Sequence, residues 1–352
     1  MSDKLNIPSN KSIQKAGEII RKTDENSLEY HDAYVRLSEW RNLHAIPLKS
    51  IQISVKKRLN NASFKNYLIG QRLKRMPSII GKIIRFPDMS ASRMQDVGGL
   101  RIIVPSIDDV NRVHSIILKN RKNSSILRSN NYILSPKKDG YRSLHQVFRY
   151  VSPAHPELNG YCVEVQIRTK LQHSWATAVE TLGMINLASY KTGEGDELSR
   201  RFFLLISALF AIKEHTPVPE SLKNMSVEEL IGEVKSINQK LGILSKLNGL
   251  VVSISEKKIF PDEYYYVLEL TVDDSGKGNI KITSYKEESG GLAEQFYRFR
   301  EEANKDNLNV SVLMIRAESF RQIKKAYPNY FLDTKLFLGA VNEILNNGIN
   351  YK

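Results

Sequence analysis

The sequence predicts an α/β protein of the mixed α+β type, with a mixed β-sheet flanked by helices. Apolar residues recur at three- and four-residue spacings through the first 60 residues, which indicates helices. Period-two strands then alternate with amphipathic helices, and the prolines of HTPVPES (215–221) indicate a boundary. We therefore predict a helical N-terminal cap over 1–60, a mixed domain over 61–216 and a small α+β domain over 217–352.

The composition is that of a soluble globular protein, with 41% hydrophobic and 26% charged residues in 352. No apolar run reaches the roughly 18 residues of a membrane span, and the N-terminus lacks the apolar core of a signal peptide. Cys162 is the only cysteine, which excludes intrachain disulfides and a cysteine-rich zinc site. We expect a cytoplasmic protein with no membrane partner.

The positive charge is concentrated in one part of the chain. Residues 55–150 hold twenty Lys and Arg against five Asp, a net charge of +15 where the whole chain carries +14. A solvated basic face is one interpretation, and a phosphate-rich ligand, RNA included, is the other.

The elements of the mixed domain follow from local patterns. Residues 63–74 read as a strand, 77–85 as a short helix with Pro77 in its first turn, and 98–105 as a buried strand. Ser106 is a candidate N-cap for a helix over 106–120, and a polar loop follows. Residues 141–151 and 161–169 are predicted to be antiparallel neighbouring strands, and 170–189 and 196–214 helices.

The C-terminal domain is predicted from the same patterns. Strands are expected over 262–272, 279–286 and 309–316, and helices over 225–244, 291–305, 318–327 and 334–345.

Polar side chains that could carry chemistry fall in or just after the basic segment. Arg72 and Lys74 share a strand face, and Ser78 and Lys82 share a helix face, an arrangement that suits a polyphosphate but also fits a basic surface hairpin. Asp96, beside a Gly pair, is either a turn residue or a Mg²⁺ ligand.

Two predicted strands supply further polar groups. Tyr141, Ser143 and His145 would alternate on one strand face, where they could contact a base or form a hydrogen-bonded core. In YCVEVQIRT, Glu164, Gln166 and Arg168 alternate with aliphatic residues, so the polar row would lie beside the Tyr141 face if the strands pair.

Two carboxylates, Asp96 and Glu164, among so many cations suggest Mg²⁺-dependent transfer of a phosphoryl-type group. The P-loop and protein-kinase signatures are absent from the sequence, so a different phosphate-transfer fold is required.

The motifs DVGGLRIIV, GYRSLH and VEVQIRT, with RLKRMPSIIGK before them, together resemble the synthetase domain of the RelA/SpoT family of alarmone synthetases. The resemblance runs over about 63–190 and implies a nucleotidyltransferase-like domain that moves the β,γ-pyrophosphate of ATP to the 3′-hydroxyl of GDP or GTP, releasing AMP. It implies ATP binding by Arg72, Lys74, Ser78, Lys82 and Arg101, catalysis and Mg²⁺ binding by Asp96 and Glu164, and acceptor binding by Lys138, Tyr141, His145, Gln166 and Arg168.

Three functions stay open. The first is an alarmone synthetase. The second is a toxin of a branch that resembles the same domain and modifies the 3′-terminal adenosine of tRNA. The positive charge of residues 55–150 favours this second function. The third is a non-catalytic nucleotide sensor. The C-terminal domain is either a unit that masks the acceptor site or an oligomerisation domain, and the oligomeric state is not predicted.

Overall fold

A computed structural model describes residues 7–119, 124–186, 195–249, 252–258, 263–273, 277–304, 307, 309–317 and 320–349. The predicted mixed α+β class is confirmed. The strands of these residues form one nine-stranded sheet in the order β3-β4-β5-β2-β1-β9-β7-β8-β6. The strands are β1 Leu68–Leu73, β2 Gly98–Val104, β3 Ser124–Asn131, β4 Leu144–Tyr150, β5 Cys162–Thr169, β6 Val252–Lys258, β7 Glu263–Val272, β8 Gly278–Lys286 and β9 Val310–Arg316.

Helices cover the sheet and supply most of the apolar core. Ser106 caps α5 through a bond to the main-chain N–H of Asp109, as predicted, and Thr169 forms a capping box with Gln172 at the start of α6. The helices are α1 Asn10–Lys22, α2 Leu28–Leu43, α3 Ala45–Asn61, α4 Met76–Arg85, α5 Ile107–Leu118, α6 Lys170–Ile185, α7 Glu197–Lys213, α8 Val227–Leu241, α9 Ile243–Asn248, α10 Gly290–Ala303, α11 Phe320–Ala326 and α12 Lys335–Asn347. Within the described ranges, no helix has the length and apolar composition of a membrane span.

The strand β5, which carries Glu164, Gln166 and Arg168, lies between β4 and β2. It pairs antiparallel with β4, as predicted, and parallel with β2. Its aliphatic residues Val163, Val165 and Ile167 are fully buried in a core with α3 and α5. Because side chains alternate along a strand, Glu164, Gln166 and Arg168 lie together on the opposite face of the sheet.

Two local predictions are wrong. The polar loop expected after α5 contains the strand β3, which pairs with β4 and forms one edge of the sheet. Tyr141 and Ser143 do not alternate on a strand with His145, because β4 begins only at Leu144. The Ser143 hydroxyl instead donates to the carbonyl of Ile167 and fixes the entry to the strand.

The C-terminal strands join the same sheet. β9 pairs antiparallel with β1, placing Arg316 opposite Gln71 and Ile315 opposite Arg72. Helix α12 inserts Phe337 between the aromatic rings of Phe203 and Phe210 on α7. The residues after the predicted boundary near Pro219 are therefore part of the sheet and core of the preceding residues, while the domain limits themselves stay a prediction.

Candidate active site

A cleft of about 680 Å³ lies over the polar face of β1, β2, β4 and β5. Ten of the twelve predicted site residues line it: Arg72, Lys74, Lys82, Asp96, Arg101, Tyr141, His145, Glu164, Gln166 and Arg168. The exceptions are Ser78, which lies on α4 outside the lining, and Lys138, which faces a neighbouring cavity of about 380 Å³. The structure thus brings the predicted residues together, while their roles stay predictions.

Asp96 is held by two lysines. Lys74, just after β1, donates to one carboxylate oxygen at 3.0 Å, and Lys82 on α4 donates to the other at 2.9 Å. Burial acts to raise the pKa of Asp96, but the two ammonium groups outweigh it and hold the pKa below its usual value. Asp96 is therefore a carboxylate at neutral pH.

Glu164 is held by His145 and Gln166. His145 Nδ1 lies 2.8 Å from one carboxylate oxygen, and Gln166 Nε2 donates to the other at 2.7 Å. These bonds outweigh burial and lower the pKa of Glu164, whereas the charge of Asp96 acts to raise it. The two carboxylates are thus near enough to interact electrostatically.

A hydrogen-bonded chain connects Tyr141 to Glu164. The Tyr141 hydroxyl lies 2.8 Å from His145 Nε2, on the opposite side of the imidazole from Glu164. The Glu164 carboxylate can only accept a hydrogen bond, so a neutral His145 carries its proton on Nδ1 and donates it to Glu164. Its Nε2 then accepts a hydrogen bond from the Tyr141 hydroxyl. The hydrogen-bonded chain fixes the positions of Tyr141 and Glu164 relative to each other.

The turn before Tyr141 is set by close packing on α7. Gly140 has φ +88°, and a Cβ there would lie 2.9 Å from the Cβ of Ser207, whose hydroxyl donates to the Gly140 carbonyl. The Asp139 carboxylate accepts from the main-chain N–H of Tyr141 at 2.9 Å. Glycine is required at this turn both by its φ and by the space available.

Three arginines line the floor of the cleft. Burial and the neighbouring Arg101 lower the pKa of Arg168 to about 10, and its Nε has no partner among the described residues. Burial acts to lower the pKa of Arg72, but Tyr330 and Glu180 nearby raise it above its usual value. Arg168 and Arg72 are therefore cations at neutral pH.

The C-terminal segment contacts one of these arginines directly. The Arg101 guanidinium lies 5.5 Å from the ring centroid of Tyr327 and donates to the carbonyl of Ala326 at 3.4 Å. Gly70 permits this approach, because a Cβ there would lie 3.0 Å from Ala326 and Tyr327. The end of α11 thus lies against the arginine at the edge of the cleft.

Several lining residues were missed by the sequence patterns. Tyr132 packs edge-on against His145 with ring centroids 5.2 Å apart, and Lys137 Nζ lies 4.5 Å above the Tyr132 ring and 5.2 Å from that of Tyr141. Recognising β3 would have directed attention to Tyr132, and Lys137 lies in the basic segment 55–150. The other polar lining residues that were not predicted are Arg93, Gln95, Arg128, Asn130, Asp139 and Glu180.

The charge of the cleft suits phosphate groups. Eight Lys and Arg side chains line it against the four carboxylates of Asp96, Asp139, Glu164 and Glu180. In the described part of the chain, no group of three or more His, Cys, Asp or Glu side chains could hold a metal alone. Mg²⁺ characteristically takes only one or two carboxylates with substrate phosphates, so Asp96 and Glu164 fit that ion.

The residues of the cleft are similar to a known family. Residues 71–194 match the family described as the region found in RelA / SpoT proteins. The chain is 34% identical over 113 residues to the GTP pyrophosphokinase YjbM of Bacillus subtilis, covering 32% of this chain and 53% of that protein. The GTP pyrophosphokinase YwaC of the same organism is 32% identical over 111 residues, covering 30% of this chain and 52% of that protein.

The structural comparison covers more of the chain. A GTP pyrophosphokinase family protein from Streptococcus pneumoniae aligns with 62% of this chain and 98% of its own, with 25% identity and a TM-score of 0.38. The chain spans about half the length of the curated relatives it matches. Every residue that lines the cleft falls within 71–194, the stretch that matches the region found in RelA / SpoT proteins.

Proposed function

We propose that this protein transfers the β,γ-pyrophosphate of ATP to the 3′-hydroxyl of GDP or GTP in a Mg²⁺-dependent reaction that releases AMP. The observation that carries the proposal is the pair of ionised carboxylates, Asp96 and Glu164, in one cleft lined by eight cations. The curated relatives named GTP pyrophosphokinases support the same reaction class.

The donor nucleotide is assigned to the β1–α4 side of the cleft. Arg72 and Arg101 would flank the adenine, and Lys74 and Lys82 would contact the phosphates, because ammonium and guanidinium groups form strong charge-assisted bonds to phosphate oxygens. Ser78 lies one turn before Lys82 and would contribute only if the donor reaches past the cleft lining.

The acceptor is assigned to the Tyr141 side. Tyr141 would stack on the acceptor base, and Lys138, His145, Gln166 and Arg168 would surround its ribose and phosphates. Glu164 would accept the proton of the 3′-hydroxyl as the oxygen forms a bond to the β-phosphorus and the bond to the AMP oxygen breaks. A carboxylate whose pKa is lowered is in the correct ionisation state for that role.

Asp96 and Glu164 would hold Mg²⁺, which when bound neutralises charge on the transferring phosphates. In the structure both oxygens of Asp96 accept from lysines, yet each oxygen retains a lone pair for a metal. Lys74 and Lys82 would then contact both Asp96 and the donor phosphates.

Modification of tRNA is the alternative, with the 3′-terminal adenosine as acceptor. The charge of +15 over 55–150 favours an acceptor larger than a free nucleotide. Part of that charge is used within the protein, however: Arg142 pairs with Glu214, and Arg58 donates to the carbonyls of Ile117 and Lys119. The guanine-nucleotide reaction is therefore preferred.

The experiment offers purified protein γ-labelled ATP and Mg²⁺ with GDP, GTP or deacylated tRNA in parallel. Label on a guanine nucleotide with stoichiometric AMP supports the proposal, whereas label on tRNA alone would replace it with the alternative. The Glu164→Gln variant controls for a contaminating enzyme. If the wild-type protein labels none of the acceptors, the remaining interpretation is a non-catalytic nucleotide sensor.

For the C-terminal residues we propose a restraining role. Tyr327 and Ala326 contact Arg101, the group assigned to the donor adenine, so the end of α11 competes with ATP for that arginine. The sequence left masking of the acceptor site and oligomerisation open, and the contact with Arg101 supports a restraint on the donor side instead. A role in oligomerisation is tested by measuring the mass of the protein in solution.

A further inference from the structure

A second basic cavity lies on the same face of the sheet as the cleft but shares no lining residue with it. Its volume is about 590 Å³, and it lies between the start of β1, the first turns of α6, and the helices α11 and α12. We call it the lysine cavity, after Lys65, Lys170, Lys324 and Lys325 in its lining.

The lysine cavity has an unbalanced positive charge. Its four ammonium groups are opposed by a single carboxylate, that of Asp333. All four lysines are exposed, and within the described ranges none of them forms an ion pair or a side-chain hydrogen bond. Lysines drawn together from three separate segments repel one another, so the arrangement favours an anion.

Two buried polar side chains line the same cavity. His173 is 7% exposed and Thr177 is 2% exposed, and the Thr177 hydroxyl has no hydrogen-bond partner among the described residues. The His173 ring lies near the main chain of Lys325, but neither ring nitrogen meets hydrogen-bond geometry. Leaving a buried polar group without a hydrogen-bond partner is unfavourable, so a ligand that bonds to both side chains is favoured.

The helix α6 arranges these groups on one face. Lys170, His173, Ser174 and Thr177 follow the spacing i, i+3, i+4, i+7, which aligns side chains along a helix. The strands supply an apolar wall from Tyr67, Leu68 and Ile103. The cavity therefore has a cationic rim, two buried hydrogen-bonding groups and an apolar side.

We propose that the lysine cavity binds a small molecule bearing two or three phosphates, held by the four lysines with His173 and Thr177 donating hydrogen bonds to phosphate oxygens. Its volume is within the about 300–1,000 Å³ usual for small-molecule sites. The apolar wall could accept the ring of a nucleoside, so both an inorganic oligophosphate and a nucleotide have the required chemistry. Binding at the lysine cavity does not require the reaction proposed for the cleft.

The test is a lysine-acetylation footprint of the full-length protein, read by mass spectrometry, with inorganic tripolyphosphate, pyrophosphate and ADP as separate probes. We expect protection of Lys65, Lys170, Lys324 and Lys325, with no change at the exposed Lys240 on α8. Stronger protection by ADP than by pyrophosphate identifies a nucleotide site, and equal protection an oligophosphate site. Protection confined to the cleft lysines would overturn the proposal.

A matched pair of variants tests the buried groups. Thr177→Val removes the hydroxyl at constant size, and we expect about a tenfold weaker affinity for tripolyphosphate at these four lysines, because one hydrogen bond to a charged group is lost. Thr181→Val is the control: its hydroxyl is also buried without a partner on α6, but it lies outside the cavity lining. Equal affinities for Thr177→Val and Thr181→Val would refute the role of Thr177.

Discussion

Replacing Tyr327 with Leu should increase the affinity of the protein for ATP. The Tyr327 ring lies 5.5 Å from the Arg101 guanidinium, which the proposed function assigns to the adenine. Leu retains an apolar side chain at this position, which is 2% exposed, and removes the aromatic face that attracts the cation. The substitution therefore weakens the contact of residue 327 with Arg101, which competes with ATP, and leaves Arg101 itself unchanged.

The size of the effect follows from the lost contact. A cation–π interaction contributes about 0.5–2 kcal/mol, with the upper values at desolvated sites such as this one. If the contact holds Arg101 away from ATP, its loss raises the fraction of protein molecules in which Arg101 can bind ATP. The dissociation constant for ATP then falls by about 2- to 30-fold. Calorimetric titration with a non-hydrolysable ATP analogue measures this constant without an acceptor.

The control is a buried tyrosine in the same apolar cluster. Tyr266 on β7 is 3% exposed and belongs to the cluster of Tyr327, and it is not among the residues that line the cleft. Tyr266→Leu should lower the temperature of unfolding to a similar degree without changing ATP affinity. Weaker ATP binding by Tyr327→Leu would refute the reasoning, since it would mean that Tyr327 helps to hold the nucleotide.

Three further predictions concern the buried charges. Glu164→Gln should lower the rate of AMP release by about 10²–10⁴-fold, the usual contribution of a general base, with an unchanged circular-dichroism spectrum; turnover within tenfold of wild type would exclude this role. Arg142→Met should lower the free energy of unfolding in urea by about 3–5 kcal/mol, because Glu214 would stay buried without its partner, and adding Glu214→Gln should restore part of the loss. The pKa of Asp96 is lower in the folded protein than in the unfolded chain, so the ionised carboxylate stabilises the fold above the usual Asp pKa. This stabilisation is lost as the pH falls through the folded-state pKa. The free energy of unfolding in urea should therefore decrease less on acidification for Asp96→Asn than for wild type.

The sequence was informative where local pattern and site chemistry coincide. In β5 the alternation of aliphatic and polar residues predicted both the strand and its polar face, because one face had to enter the core. Asp96 stood out as an acid in a basic segment, and in the structure it pairs with Lys74 and Lys82, which the family resemblance assigns to the ATP phosphates. Such residues could be predicted since each is constrained by its neighbours in the chain.

Other parts of the site depend on contacts between distant residues. The strand β3 has the sequence SSILRSNN, whose polar residues carry little strand signal, and it is specified by its pairing with β4. Tyr132 enters the cleft only as a consequence of that pairing. Likewise, nothing in the local pattern of VSVLMIR indicates that β9 pairs with β1 and not with another C-terminal strand.

The pairing of β9 with β1 determines what can reach the donor side of the cleft. Because β9 takes the place beside β1, the chain that follows it, α11 and the turn after it, lies on the polar face next to Gly70 and Arg101. Ala326 at the end of α11 and the following Tyr327 therefore contact Arg101 of the cleft, while Lys324 and Lys325 line the lysine cavity. These four consecutive residues connect the two sites, so an anion bound by Lys324 and Lys325, as proposed above, would also favour the position in which Tyr327 lies on Arg101.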